Sequence, residues 1–343
     1  MTPPATMRAF LLTGHGDLDM LEYRADYPVP VLAPGEVLIE VAACGMNNTD
    51  VNTRTAWYQG GGWGGQLRFP RIQGADPVGR ITAVGDDVDR SRIGERVLVD
   101  AWIRSSDDRL EAAKYLGSER DGGYAQYVAV PAINAHFIDT GLSDVELASF
   151  PCSYGTAEHM LHRPGVSEGQ WVLVTGASGG VGSALVQLAR RRGAKVVALT
   201  SRSKISDVGG IGADIVLDRA MEGLDQAIIS ETGGIDVFAD VVGGESFPSL
   251  FGTINHGGHY TTAGAIGGPT VLLDLRTLYL RDITMHGATV LPAVVFRNLV
   301  SYIERGEIRP VVAATYPLQD LKEAQTEFMK KSHVGVFVVE IGE

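Results

Sequence analysis

The sequence predicts an α/β fold, in which a β-rich first part precedes a doubly wound parallel sheet. Short runs of branched residues separated by Gly, Pro and Asp indicate strands in the first third of the chain. From about residue 144, strand-like and helix-like segments alternate, beginning with a strand at 171–176 and a helix at 181–192. Such alternation predicts a parallel sheet that is covered by helices on both faces.

The first part contains strand signals and two long irregular segments. Strands are predicted at 7–12, 37–43, 80–84, 96–100 and 121–130. The segments 57–66 and 103–120 are glycine-rich or polar and lack periodicity, so we expect functional or mobile loops there.

The second part is expected to contain six strands, joined by helices. The predicted strands are 171–176, 195–201, 215–218, 235–242, 258–264 and 283–290. The predicted helices between them are 181–192, 203–211, 221–231 and 245–254. After Pro292, a helix (294–305), a strand (311–316), a helix (319–331) and a closing strand (334–341) cannot continue the simple alternation. We therefore expect this last segment to return to the first domain.

Composition excludes several classes of protein. A net charge of −12 over 343 residues argues against binding to nucleic acid. No run of about 18 apolar residues and no secretory signal are present, so we expect neither a membrane span nor export. The two cysteines, Cys44 and Cys152, are too few for a disulfide framework or a four-cysteine zinc site, which favours the cytoplasm.

A glycine-rich turn lies between the predicted strand 171–176 and the helix 181–192. Small residues there let the backbone approach a pyrophosphate, and the start of the helix offers N–H groups and a positive dipole. The spacing departs from the common G-x-G-x-x-G form, but the strand–turn–helix context favours a dinucleotide site. The predicted contacts are Gly176, Ala177, Ser178, Gly179, Gly180, Val181 and Gly182.

The end of the strand 195–201 predicts which dinucleotide binds. NAD-binding proteins usually place an acidic residue there to hold the ribose 2′-hydroxyl. Ser201, Arg202 and Lys204 stand in its place, and these side chains can bind a 2′-phosphate through charge-assisted hydrogen bonds. The sequence therefore predicts NADPH.

Several motifs resemble those of the medium-chain dehydrogenase/reductase superfamily, in particular its zinc-free quinone oxidoreductase branch, which includes zeta-crystallin. These motifs span nearly the whole chain: MRAFLLTGHGD, ACGMNNTD, QGADPVGRITAVG, GERV, GGYAQYV, VLVTGASGGVG and VGVFVVEI. The resemblance implies a GroES-like catalytic domain (1–135 with 292–343) and a Rossmann domain (136–291), with the cofactor in the cleft. It also implies a homodimer, often built by pairing the last Rossmann strands edge to edge.

The resemblance further implies that catalytic zinc is lost. Where zinc-dependent relatives have Cys and His ligands, this sequence has Asn47 and Ala75, and only Cys152 keeps a ligand type. In zinc-free relatives, Asn at the position of Asn47 faces the nicotinamide and the substrate. Those relatives often have Tyr five residues later, where this sequence has Asn52, so Tyr58 is considered as a substitute. Further cofactor contacts implied by resemblance are Thr156, Asp218, Val242, Gly243, Ala263, Gly264 and Val290.

Without a Lewis acid, reduction of a quinone or an α,β-unsaturated carbonyl is easier than reduction of a simple ketone. The candidate catalytic residues are Asn47, Asp50, Asn52, Tyr58, Asp76 and Tyr154. For Asp50 and Asp76, capping of backbone N–H groups is an equally good interpretation, and Tyr154 fits the core as well as the cleft.

Two alternatives stay open. One is an alcohol or carbonyl dehydrogenase with a rebuilt metal site, and the other is a non-catalytic, crystallin-like NADPH-binding protein.

Overall fold

The computed structural model describes residues 3–61, 67–104 and 113–342, and its chain divides into two compact units. The first unit comprises Met1–Cys152, Phe296–Ser332 and Val336–Glu343, and the second comprises Ser153–Val295 and His333–Gly335. Residues 136–152, which the sequence analysis assigned to the second domain, belong to the first unit. The parts of the two expected loops at 62–66 and 105–112 lie outside the described residues.

Strands account for much of both units. In chain order they are β1 (Thr6–Leu12), β2 (Leu21–Pro28), β3 (Glu36–Met46), β4 (Arg71–Ile72), β5 (Asp76–Val84), β6 (Arg96–Val99), β7 (Trp102–Ile103), β8 (Lys114–Tyr115), β9 (Tyr127–Pro131), β10 (Ala135–Phe137), β11 (Trp171–Val174), β12 (Lys195–Thr200), β13 (Ile215–Asp218), β14 (Ile235–Asp240), β15 (Ile254–Thr262), β16 (Thr284–Gly287), β17 (Val312–Pro317) and β18 (Val336–Glu340).

The α-helices follow the same order along the chain. They are α1 (Asn48–Arg54), α2 (Asp144–Leu147), α3 (Pro151–His162), α4 (Gly180–Arg191), α5 (Ile205–Ile211), α6 (Leu224–Thr232), α7 (Phe247–Phe251), α8 (Leu275–Leu280), α9 (Ala293–Glu304) and α10 (Leu321–Met329).

In the first unit, the largest sheet has the strand order β10-β6-β5-β3-β18-β17, and β9 also pairs with β3. The closing strand β18 pairs with β3 in antiparallel orientation, with Phe337 opposite Met46. It also pairs with β17 in parallel orientation. The last residues of the chain thus complete the sheet of the first unit. β3 ends directly before α1, and β5 begins at Asp76, so two polar segments meet at one end of this sheet.

In the second unit, six strands form a sheet in the order β13-β12-β11-β14-β15-β16, and each neighbouring pair is parallel. The doubly wound parallel sheet that the sequence predicts is therefore confirmed. The strand order changes direction between β11 and β14, and ligands of such sheets bind at the carboxyl ends beside that point. One face is packed by aromatic residues, including Phe238, Phe247, Phe251 and Tyr260, each at most 6% exposed.

The predicted strand 121–130 is partly wrong. The strand begins at Tyr127, because residues 121–124 hydrogen-bond to the 72–74 segment instead and Gln126 N donates to Arg8 O of β1. For example, Gly123 N donates to Gly74 O over 2.7 Å and Tyr124 N donates to Gln73 O over 2.9 Å. Two further elements were missed, namely β2, although its sequence LEYRADY alternates apolar and polar residues, and α1, which shows no hydrophobic period.

Among the helices of the described residues, none has the length and apolar character needed to cross a membrane.

Candidate active site

The first polar cluster of the structure is built around the start of α1. Asn47 precedes this helix in an extended conformation, and its backbone N–H donates to Asp50 Oδ2 over 2.8 Å. Asp50 lies in the first turn, where a carboxylate accepts backbone N–H groups and complements the helix dipole. The sequence analysis considered this capping role, and the hydrogen bond shows that Asp50 performs it.

Asp76 joins Asn47 to the start of α3. The Asn47 amide donates from Nδ2 to Asp76 Oδ2 over 2.8 Å, and Cys152 N donates to Asp76 Oδ1 over 3.0 Å. Asp76 is completely buried, and burial raises its pKa well above the usual value. The hydrogen bond from Asn47 opposes that increase, and the nearby Asp50 adds to it. Asp76 therefore fixes the Asn47 side chain and one end of α3 at the same time.

Asp50 has further partners that sequence reasoning missed. Tyr124 OH donates to Asp50 Oδ2 over 2.9 Å, and Gly74 N donates to Asp50 Oδ1 over 3.2 Å. Burial raises the pKa of Asp50 from 3.8 to about 6, although its hydrogen bonds act in the opposite direction. Gln73 also donates from Nε2 to the backbone oxygen of Asp50 over 2.8 Å. The only sequence signal for Tyr124 is its place in the GGYAQYV motif.

Tyr58 is held by α1 through its hydroxyl oxygen. Asn52 Nδ2 donates to Tyr58 OH over 3.3 Å, and Thr49 also hydrogen-bonds to this hydroxyl. Both bonds lower the pKa of Tyr58, but burial dominates and raises it. When a phenol oxygen accepts hydrogen bonds from two donors, its own O–H group remains available to donate to a third group. Tyr58 is thus a neutral, positioned hydroxyl at pH 7.

Cys152 lies beside a second tyrosine that the sequence analysis did not name. Tyr115 OH donates to Cys152 Sγ over 3.3 Å, and Tyr115 packs against Trp102 with ring centroids 4.5 Å apart. Burial raises the pKa of Tyr115 well above its usual value. Tyr115 belongs to the expected loop 103–120, whose role could not be read from its composition.

In the second unit, the glycine turn has the shape that the sequence predicts. Gly176 has φ +60°, and Gly179 N donates back to Gly176 O over 2.9 Å. A Cβ at Gly182 would lie only 2.1 Å from Gly176 O, so the turn and α4 pack too closely for any side chain. The first hydrogen bond within α4 runs from Ser183 N to Gly179 O. The N–H groups of Gly180, Val181 and Gly182 therefore precede the internal bonding of the helix and can bind an anion.

Basic side chains follow β12, next to this turn. Lys204 Nζ donates to Ser178 Oγ over 3.5 Å, so this cation reaches back to the glycine turn. Burial lowers the pKa of Lys204, and Arg219 lowers it further, which places Arg219 close to it. Arg219 N donates to Thr200 O over 2.8 Å at the end of β12. The sequence analysis named Arg202 and Lys204 but missed Arg219, because Arg219 follows the neighbouring strand β13.

Asp218 also ends β13, opposite Thr200. Its Oδ1 accepts from Ala220 N over 3.0 Å, so this carboxylate closes a local turn. The ends of β12 and β13 thus carry the acidic side chain of Asp218 next to basic side chains.

A buried carboxylate shapes the turn after β14. Asp240 is 1% exposed and accepts from Val242 N over 2.9 Å and from Gly243 N over 3.1 Å. Thr175 and Tyr260 donate to the same carboxylate from their hydroxyl groups. Asp240 therefore fixes the predicted cofactor contacts Val242 and Gly243, and sequence reasoning missed it.

The other predicted residues are more scattered. Tyr154 lies in the second unit, almost completely buried, and its hydroxyl accepts from Gln187 Nε2 of α4 over 2.7 Å. This bond supports the packing role that the sequence analysis left open. Thr156 lies half a turn beyond Tyr154 in α3. Ala263 and Gly264 are exposed and follow β15, and Val290 follows β16.

Two family models match the chain. The alcohol dehydrogenase GroES-like domain matches residues 33–139, and the zinc-binding dehydrogenase model matches residues 180–305. A solved structure described as a putative alcohol dehydrogenase from Sinorhizobium meliloti 1021 is 51% identical, with a TM-score of 0.95, and the match covers 98% of this chain and 97% of that one. The chain belongs to the medium-chain dehydrogenase/reductase superfamily.

Curated relatives of this medium-chain dehydrogenase/reductase have different activities. A quinone oxidoreductase of Homo sapiens is 27% identical, and the match covers 95% of both chains. A 2-methylene-furan-3-one reductase of Solanum lycopersicum is 28% identical, over 90% of this chain and 72% of the relative. Alcohol dehydrogenases are also among the relatives. The chain is therefore an oxidoreductase of a family that uses a nicotinamide cofactor.

The donor atoms of this medium-chain dehydrogenase/reductase do not fit the catalytic zinc that the name of the second family model implies. Asn47 offers an amide that is bonded to Asp76, Ala75 has no donor atom, and only Cys152 could bind zinc well. Within the described part of the chain, no group of three or more His, Cys, Asp or Glu residues could hold a metal ion. The glycine turn, by contrast, fits a dinucleotide, because it leaves main-chain N–H groups beside a surface without side chains.

Proposed function

We propose that the chain is an NADPH-dependent reductase that transfers hydride to a quinone or an α,β-unsaturated carbonyl without catalytic zinc. The observation that carries this proposal is the hydrogen bond from Asn47 Nδ2 to Asp76. By resemblance, Asn47 stands where zinc-dependent relatives have a Cys ligand, and its amide is bonded to Asp76. A site without a Lewis acid favours acceptors whose reduced oxygen needs only hydrogen bonds and a proton.

The second unit would hold the cofactor. The N–H groups of Gly180, Val181 and Gly182 would bind the diphosphate, with the dipole of α4 behind them. Arg202, Lys204 and Ser201 would bind the 2′-phosphate through charge-assisted hydrogen bonds. Arg219 adds a third cation near Lys204, which offsets the negative charge of Asp218. A bound nicotinamide would supply the hydride, which no side chain of this chain can supply.

The first unit would hold the acceptor. Tyr58 is the proposed proton donor, because two hydrogen bonds position its oxygen and burial keeps its proton on at pH 7. Asn47 would contact the reacting groups, in the orientation that Asp76 imposes. Asp50 and Asn52 are positioning residues in this proposal, since Asp50 caps α1 and Asn52 holds Tyr58.

A panel of acceptors tests the proposal. Purified protein is mixed with NADPH or NADH and with quinones, enones, ketones and aldehydes, and the oxidation of the cofactor is followed by absorbance. We expect kcat/KM with NADPH and a quinone or enone to exceed the values for simple ketones and for NADH at least about tenfold. Binding of NADPH without any oxidation across the panel would instead identify a non-catalytic NADPH-binding protein.

One specific observation favours a second candidate, which is an alcohol or carbonyl dehydrogenase. The solved relative at 51% identity is described as a putative alcohol dehydrogenase. The same panel, run with alcohols and NADP⁺ or NAD⁺ before and after dialysis against a chelator, discriminates the two. Alcohol oxidation that is lost with the chelator and restored by zinc would replace our proposal with this one.

We also propose a cytoplasmic homodimer in which two copies pair along β16. Within the described residues β16 pairs only with β15, so its other edge offers backbone groups for a second copy. Met285 of β16 is 41% exposed, and the segment before β16 also carries exposed apolar side chains, namely Leu272 (78%), Tyr279 (62%) and Leu280 (65%). Sedimentation should give twice the mass of one chain, and Met285→Arg should reduce it to one chain. Cys44 and Cys152 form no disulfide within the described residues, which agrees with a reducing compartment.

A further inference from the structure

Two histidines face each other on neighbouring strands of the parallel sheet. His259 lies on β15 and His286 lies on β16. The strand register puts His259 opposite Thr284 and His286 opposite Thr261, so the two histidines are offset by two residues. His259 Nδ1 and His286 Nε2 are 3.1 Å apart, and the two rings are 5.3 Å apart at 35°. The pair therefore shares one face of the sheet at its edge.

The surroundings leave this pair accessible and disfavour the charged form of His286. Both side chains are only half-buried, so water reaches them. Burial lowers the pKa of His286, and His259 and Arg163 lower it further, so that His286 is neutral at pH 7. The neutral imidazole is the form that binds metal ions. Neither histidine has a carboxylate partner among the described residues, in contrast to His256, whose Nε2 lies 3.0 Å from Asp282.

We propose that His259 and His286 form a two-nitrogen binding site for a divalent transition-metal ion. Imidazole nitrogens bind such ions at about 2.0–2.1 Å. Two nitrogens 3.1 Å apart can both reach a common ion at that distance, with an angle of about 95° at the ion. This site is separate from the zinc ligand positions of the family, and it does not depend on the proposed reductase activity.

Binding requires one change of tautomer. In the hydrogen-bonded pair, one of the two facing nitrogens carries the shared proton, and the other accepts it. For both lone pairs to face the ion, that proton moves through solvent to the opposite nitrogen of the same ring. Each imidazole then still has one N–H, so the change of tautomer itself releases no proton.

The chemistry of the site limits which ion it takes. Two imidazoles without carboxylates favour Cu²⁺ over Ni²⁺ and Zn²⁺, and they exclude Mg²⁺ and Ca²⁺, which require oxygen ligands. The Arg163 guanidinium donates to Gly287 O close by and opposes any cation. Because no third His, Cys, Asp or Glu ligand completes a cluster within the described residues, water fills the remaining positions. We therefore expect moderate affinity with a clear preference for Cu²⁺.

Titration of the full chain without a histidine tag tests the site. Copper(II) chloride is added in a weakly coordinating buffer, binding is measured by calorimetry, and the ligands are identified by electron paramagnetic resonance. We expect one ion per chain at this site, with hyperfine structure from two imidazole nitrogens. His259→Ala and His286→Ala should each weaken binding at least tenfold. His256→Ala is the matched control and should leave it unchanged.

Two results would overturn the proposal. If His259→Ala and His286→Ala bind Cu²⁺ as tightly as the wild type, the ion is adventitious and lies elsewhere. If both variants and His256→Ala weaken binding equally, the chain has only dispersed surface histidines. His286→Gln, which keeps a polar side chain of similar size, shows whether a loss of binding results from misfolding. This variant should melt at the wild-type temperature and still lose the two-nitrogen signal.

Discussion

The two units of this protein prepare for chemistry in different ways. In the second unit, the glycine turn offers main-chain N–H groups, and its residues matter mainly because they are small. In the first unit, side chains hold one another in place. Asp50 and Asp76 accept hydrogen bonds from residues far away in the sequence, whereas Tyr58 is held locally by Asn52 of α1. The comparison suggests that the first site is sensitive to charge and the second to shape.

The largest expected effect concerns the buried charge of Asp50. Its pKa is 3.8 when unfolded and about 6 in the folded protein, so the folded state binds the proton more tightly. The stabilising contribution is fully present below the unfolded pKa and is lost as the pH rises through the folded pKa. The difference of about two pKa units corresponds to about 3 kcal/mol of unfolding free energy.

Denaturant unfolding of the wild type and Asp50→Asn at several pH values measures this effect. Because Asn does not titrate, the wild type should lose stability relative to the variant as the pH rises from 4 to 7. Asp86→Asn changes an exposed carboxylate of the same unit and serves as the control. Parallel pH profiles for the wild type and Asp50→Asn would show that the carboxylate is not strained by burial.

The second prediction concerns proton donation from the same cluster. Tyr58→Phe removes the proposed acid and should lower kcat about 100-fold with a quinone or enone, while the dissociation constant of NADPH stays unchanged. Asn52→Ala removes only the donor that positions Tyr58, so its kcat should fall less. Steady-state kinetics and cofactor titration separate these effects. An unchanged kcat in Tyr58→Phe would assign the proton to water or to another group.

The sequence could predict the second unit better than the first. Strands of the parallel sheet are continuous apolar runs, and the glycine turn is a local pattern, so both can be read from neighbouring residues. The strand 215–218 was predicted with its observed bounds, and α4 was predicted within one residue at each end. Arg219 was missed because its closeness to Lys204 arises from the pairing of β12 with β13, which no local pattern shows.

The cluster in the first unit could be predicted only in part. Asn47, Asp50 and Asp76 were found because they stand at family positions, but their partner Tyr124 lies 74 residues from Asp50 in sequence. The region around Tyr124 was predicted as a strand, because alternating residues do not reveal that the backbone bonds to Gln73 and Gly74. Networks between distant residues carry no periodic signal, so their geometry requires the structure.

The third prediction tests the cations at the edge of the second unit. Replacing Arg202 and Lys204 by Ala should weaken NADPH binding about 30-fold and NADH binding less than about threefold. The expected loss of affinity is modest because Arg202 is exposed and Lys204 is only half-buried. Arg276→Ala removes an exposed cation elsewhere in this unit and should change neither affinity. Equal losses for both nucleotides would show that these residues do not recognise the 2′-phosphate.

The smallest expected effect on cofactor affinity separates two roles of glycine in the turn. A Cβ at Gly182 would collide with Gly176 O at 2.1 Å, whereas a Cβ at Gly179 would meet no protein atom closer than 3.5 Å. Gly182→Ala should therefore destabilise the protein by about 1–3 kcal/mol, because the overpacked turn must shift. Gly179→Ala should leave the melting temperature unchanged and weaken NADPH binding about tenfold, because its methyl group occupies space meant for the diphosphate.

Thermal unfolding and cofactor titration of both glycine variants check this distinction. If Gly179→Ala binds NADPH as tightly as the wild type, the diphosphate does not lie against that residue, and the proposed main-chain binding site is wrong. If Gly179→Ala lowers the melting temperature as much as Gly182→Ala, both glycines serve packing alone. Only a variant that loses affinity while keeping stability shows that the empty space beside the turn is reserved for a ligand.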